Sequence, residues 1–294
     1  MNRMVNLGRR FSVSFTSWFC IPEQGMKDME VLSRGSAFLI PTLNRNGNDF
    51  KTKYHVCTAA HIVSPWLFPT FYPVEWLKHV NHTHTHYTIE MRYDDGTFVF
   101  QHELFPETYH HNKRDLAVLH LDNEKECIET LDDLKYNFLS LKTENINFND
   151  ELLFAGHNVT GMQNELDGDD ERKPEPTLVS GSFVHRTPHQ SFAKSDVTLT
   201  DGMCGGSVVS GNEKELIGMI EGIVPHDSSV ESLRNHVVYV DGKEISEFLL
   251  DIEENNIENK KHQHLIGGEA AKHVGADQDP EKLDWQRYML KNEK

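Results

Sequence analysis

Short apolar runs closed by turn-forming residues recur along this chain of 294 residues. The segment Thr88-Ile89-Glu90-Met91-Arg92-Tyr93 alternates apolar and polar positions, the period of a strand with one buried face. It ends at Asp94-Asp95-Gly96, a hairpin turn signal, and Thr97-Phe98-Val99-Phe100 is the expected partner strand. Further strand-like runs are 35–40, 116–119, 151–156, 216–223 and 237–240. Between them, Trp66 to Lys78 is an aromatic, proline-broken insertion able to overhang a neighbouring cleft. Asp167 to Pro176 is acidic and contains proline, as surface loops do. Near the end, Leu283, Trp285, Tyr288, Met289 and Leu290 form an apolar stripe at helical spacing behind Asp279-Pro280.

Three of the runs adjoin residues with chemistry. Tyr54-His55-Val56-Cys57 leads into Thr58-Ala59-Ala60-His61. Lys113-Arg114-Asp115 opens Leu116-Ala117-Val118-Leu119. Gly202-Met203-Cys204-Gly205-Gly206-Ser207 surrounds a cysteine with glycine. A thiol becomes a strong nucleophile as its thiolate, which a neighbouring histidine forms at neutral pH. His61 would take the proton of Cys204 and Asp115 would fix the His61 ring. The N–H groups of Gly202 and Cys204 would face a developing oxyanion, in a turn that needs glycine's conformational range.

The order histidine, aspartate, nucleophile, in these sequence contexts, resembles the chymotrypsin-fold (trypsin-like) peptidases, in the cysteine-nucleophile variant known from picornavirus-type proteases. The resemblance covers about residues 31–250. It implies an all-β fold of two antiparallel Greek-key β-barrels with short helices and a C-terminal tail. Residues 31–135 are the expected first barrel, carrying His61 and Asp115. Residues 136–250 are the second, carrying Cys204. Gly35 to Ile40 is similar to the family's early strand, Glu151 to His157 to the strand opening the second barrel, and Leu216 to Ile223 to the specificity-pocket strand. Gly242 to Ile252 is similar to its C-terminal helix.

The departures refine the expectation. Met203 stands where secreted trypsins carry the aspartate that pairs with a new amino terminus, and Ile62 where they carry a cysteine. Thr198 occupies the position of the acid that selects basic side chains in trypsin. The pocket strand lacks the histidine of glutamine-reading viral enzymes. Thr198, Thr200 and Glu221 are the nearest polar candidates for the specificity pocket.

Composition narrows the remaining choices. A formal net charge of −17 argues against a nucleic-acid partner. No apolar run approaches the length of a membrane span. Cys20, Cys57, Cys127 and Cys204 are too sparse for a disulfide framework, and Cys57 and Cys127 read as core fillers. Residues 1–20 hold Arg3, Arg9 and Arg10, with no acid before Glu23, the composition of a mitochondrial targeting segment. Cleavage near Phe19 and a matrix location are the expectation, with a basic N-terminal strand and a cytoplasmic location as the alternative. His82, His84 and His86 alternate, a spacing that would share one face of a strand, but no cysteine or acid joins them locally. No metal or cofactor is expected.

Two functions follow. One is a cysteine endopeptidase cleaving protein or peptide substrates through a thioester acyl-enzyme. The other is a catalytically silent chymotrypsin-fold subunit of a larger mitochondrial assembly. Residues 251–294 are an expected extension beyond the barrels, partly helical, and its 253–294 tail would either pack a helix back on the barrel or bind a protein partner.

Overall fold

Alternation of inward and outward side chains builds two seven-stranded sheets in the computed structural model. It describes residues 10–43, 52–69, 71–93, 97–160, 173–187, 190–228 and 230–258. The first sheet holds β1 (Val13–Phe19), β2 (Glu30–Pro41), β3 (Tyr54–Thr58), β4 (Thr85–Arg92), β5 (Phe98–Glu103), β6 (Tyr109–His110) and β7 (Ala117–His120). Their order is β5-β4-β1-β2-β3-β7-β6, all antiparallel. An antiparallel bridge from Leu104 to Leu121 joins its two flanks. The second sheet holds β8 (Ser140–Leu141), β9 (Glu151–Thr160), β10 (Lys173–Arg186), β11 (Ser191–Ser195), β12 (Ser207–Ser210), β13 (Glu215–Ile223) and β14 (Val237–Asp241). Pairing of β12 with β13 closes six of these strands into a barrel, and short β8 lies parallel to β13. The helices are α1 (Ala60–Val63), α2 (Glu124–Asp133) and α3 (Gly242–Glu258). The all-β, two-barrel class expected from the sequence is the one observed.

The unit boundaries differ from expectation at both ends. The first barrel starts at Val13, not at residue 31, because β1 runs between β2 and β4. Val13 and Phe15 are fully buried. Each contributes roughly 1.5–3 kcal/mol. Cleavage near Phe19 would remove this central strand, so the expected targeting segment cannot extend that far without dismantling the barrel. At the other end, α3 runs six residues beyond the expected Ile252. Ile245, Leu249 and Ile252 share its buried face at helical spacing. Glu253, fully buried, accepts from His55 Nε2 at 2.8 Å and from the Leu43 N–H at 2.9 Å. The expected start of the extension at residue 251 therefore lies inside a helix docked on the first barrel.

Local expectations also met corrections. Pro174 and Pro176, expected in a surface loop, lie in β10 and pair with β9. The strand's other side is paired only from Gly181 onward, so a missing proline N–H costs no ladder bond there. His82 and His84 form a 3-10 turn and only His86 lies in β4, so the three share no strand face. Among the described residues no cluster of His, Cys, Asp and Glu could hold a metal ion. None of the described helices is long and apolar enough to cross a membrane. The helical stripe at 283–290 lies outside the described residues.

Candidate active site

The first barrel supplies His61 on α1, a single turn following β3. Ala59 and Ala60 are fully buried, and their small side chains let this turn sit tight against the barrel. Its Ile62 carbonyl accepts hydroxyls from Ser17 on β1 and Ser33 on β2. Both strands thus fix the turn that carries His61. Asp115 precedes β7 and accepts twice from His61: from the backbone N–H at 2.8 Å on Oδ1, and from the ring Nδ1 on Oδ2 in a short hydrogen bond. The carboxylate thereby sets the ring's position and leaves the opposite ring nitrogen, Nε2, unused by Asp115, with the Cys204 thiol close enough to help raise the pKa of the ring. Burial alone would lower the His61 pKa. The Asp115 charge, its hydrogen bond and that of Cys204 outweigh it and hold the imidazole well above its ordinary range.

The second barrel supplies Cys204 from a turn ending at β12. A one-turn 3-10 helix, Asp201–Met203, holds this turn, with the Met203 N–H on the Thr200 carbonyl at 2.9 Å. Met203 is buried in the second core, which is the structural use of the position where an aspartate was absent. Gly205 has φ +80°, and a Cβ there would meet the Ser36 carbonyl at 2.2 Å. Gly202 needs glycine for space instead of φ: a Cβ would lie 2.6 Å from the His157 carbonyl. Gly202 lies within this 3-10 turn and Cys204 directly follows it, which places both N–H groups of the expected oxyanion-binding pair at one turn beside the cleft.

Ser36, on β2, ties the turn to the first barrel. Its N–H donates to the Cys204 carbonyl at 2.9 Å and its hydroxyl to the Gly202 carbonyl at 2.8 Å. The same hydroxyl accepts from the His157 N–H at 2.8 Å. Ser36 was not anticipated, and a serine inside a strand run offers no signal of this role.

A cleft of about 530 Å³ opens beside these groups. His61, Asp115, Gly202 and Cys204 line it, as do Thr200 and Glu221. Thr198 is exposed and does not line it, so that specificity expectation is corrected. Glu221 is engaged within the protein. Its Oε2 takes Arg114 Nη2 at 2.7 Å, and its Oε1 takes the Asp115 N–H at 3.3 Å. It braces the acid–base pair, which makes it a poor reader of substrate charge. Leu199, Ile223, Val224 and Val238 make one wall apolar. Gln190, 8% exposed, adds a carboxamide whose Oε1 has no partner among the described residues.

The insertion after His61 does reach the cleft. Phe71 stacks on the His61 ring at 5.1 Å between centroids and 6° between planes. The remaining cysteines match the core-filler reading. Burial pushes the Cys127 thiol up to about 12 and the Cys57 thiol higher still. Cys20, expected in the leader, follows β1 directly and is half-buried.

No protein-family model and no curated protein matches this chain. Among solved structures it is similar to the Rv3671c protease of M. tuberculosis. The active form of that protein aligns at 13% identity over 85% of this chain and 84% of that chain, with a TM-score of 0.47. The inactive form aligns at 12% identity over 81% and 88%, with a TM-score of 0.44. Likeness of this extent says nothing of activity, and the two-barrel fold rests on the chain's own strand pairings.

Proposed function

We propose that this chain is a cysteine endopeptidase with Cys204, His61 and Asp115 as its catalytic unit. The observation that carries the reading is the meeting of these residues, drawn from two barrels, at the wall of one cleft. In the reaction, His61 Nε2 first takes the Cys204 proton, and the thiolate Sγ then bonds to the scissile carbonyl carbon. The oxyanion is stabilised by the N–H groups of Gly202 and Cys204. Collapse breaks the C–N bond, His61 protonates the departing amine, and a thioester remains. Water then attacks with His61 as base, releasing a carboxylate and restoring the thiol. Asp115 keeps Nδ1 protonated and stabilises the imidazolium throughout.

The apolar wall, with a neutral carboxamide and a committed Glu221, supports an uncharged substrate side chain in the pocket. The test is cleavage of a mixed peptide library by the purified protein and by Cys204→Ala. Cleavage that survives the substitution contradicts the assignment. The other reading, a silent docking subunit, draws support from the aromatic insertion standing over His61, and predicts no cleavage by either protein. A matrix location is proposed on residues 1–10 alone, with any cleavage upstream of β1. Fractionation and amino-terminal sequencing of the native protein test it.

A further inference from the structure

The insertion does more than border the cleft. Phe68 is 2% exposed and anchors it in the first core. The N–H groups of Phe71 and Tyr72 both donate to the Phe68 carbonyl at 3.0 Å, closing a tight turn. The Phe68 ring meets Phe71 edge-on at 6.1 Å. Phe71 is thus held in place, although 49% exposed. Its face is presented almost parallel to the His61 ring.

We propose that Phe71 is a positioning residue for His61, holding the imidazole plane and favouring its protonated form through the negative π face of the phenyl ring. Asp115, Tyr72 and Cys204 act on the His61 ring, and Glu221, Lys113 and Arg34 are the other charged groups lining the same cleft. Asp115 acts in the ring plane and Cys204 at the ring edge. Phe71 covers a ring face, a direction that neither of them uses. Its importance for catalysis rests on the peptidase reading, whereas its effect on His61 does not.

The test follows the His61 ring by NMR titration of the full chain carrying Cys204→Ala, so that no thiol titrates beside it. Leu keeps much of the apolar bulk of Phe71 without the π face, and Tyr keeps the ring and its face. The expected result is that Phe71→Leu lowers the pH of His61 deprotonation by about half a unit, a roughly threefold change in its proton affinity. Phe71→Tyr should leave it at the parent value. An unchanged titration with Phe71→Leu overturns the proposal. So does a rise, which would mean that Phe71 acts only by keeping water off the ring. So does an equal fall with Phe71→Tyr. Peptide cleavage by proteins with Cys204 intact, measured alongside, reports separately on the peptidase reading.

Discussion

The two barrels hold their shares of the site by different means. The first presents charge: His61 and Asp115 are locked by two mutual hydrogen bonds and braced by Arg114, which is itself held by Glu221 from β13 of the second barrel. The second presents backbone: Cys204 sits in a glycine-rich turn held through the carbonyls of Gly202 and Cys204. An acid–base pair nearly out of water needs partners to stay charged. A nucleophile that must meet a substrate needs space and a tightly turned backbone, which close-packed glycines provide. The seam between these strategies is Ser36, contributed by the first barrel to the turn of the second.

The sharpest break is at the shared chemistry. Cys204→Ala and His61→Ala should each reduce kcat/KM by on the order of a thousandfold or more, and the double variant should be little worse. Asp115→Asn should cost less, since the thiolate–imidazolium pair itself supports the charged ring. Steady-state kinetics on one peptide checks all of these, and additive losses would separate the two barrels' contributions.

Next comes the backbone strategy. Gly205→Ala should destabilise the fold by roughly 2 kcal/mol or more, because the residue has φ +80° and a Cβ would enter the Ser36 carbonyl. Denaturant unfolding gives the number. A near-neutral result would mean that the turn is looser than its hydrogen bonds indicate.

Ser36→Ala tests the seam. It leaves the buried His157 N–H without its acceptor and should cost about 1–3 kcal/mol. It should also lower kcat more than it changes KM, since the turn loses a tie while the pocket wall stays intact. Equal loss through KM alone would place Ser36 in packing only.

A further expected effect, away from the shared turn, concerns pH. Burial lowers His110 to about 4 and His157 to about 3, from an ordinary value near 6.5. As pH falls below about 6.5 the unfolded chain takes up these protons first, so stability is present above that pH and is lost toward pH 3–4. The thermal midpoint should fall across that window, and His157→Asn should flatten the fall. An unaltered slope would show that His157 is not one of the groups responsible.

Much of this was legible in the chain. His61, Asp115 and Cys204 were readable because the proposed chemistry would require each residue type in that immediate sequence context. The β period marked the hairpin of β4 and β5 and the pocket strand β13. Residues acting through packing left no such trace. Ser36 is an ordinary strand serine, Phe71 an ordinary aromatic in an irregular insertion, and Arg114 and Glu221 pair across 107 positions. β1 was masked by its own composition: its hydroxyls and the arginines before it suggested a leader, whereas the hydroxyl of Ser17 caps the His61 turn. Alternation in His82, His84 and His86 misled because a one-turn helix interrupts the strand period.

The central claim, that His61 activates Cys204, is tested most directly by the rate at which a thiol-directed reagent modifies Cys204 at pH 7, with and without His61→Ala. Peptide mapping distinguishes it from Cys20, Cys57 and Cys127. The account predicts that Cys204 is modified first, and that His61→Ala slows this by at least about tenfold while the fold is retained. Modification of Cys204 at the same rate in both proteins would contradict it.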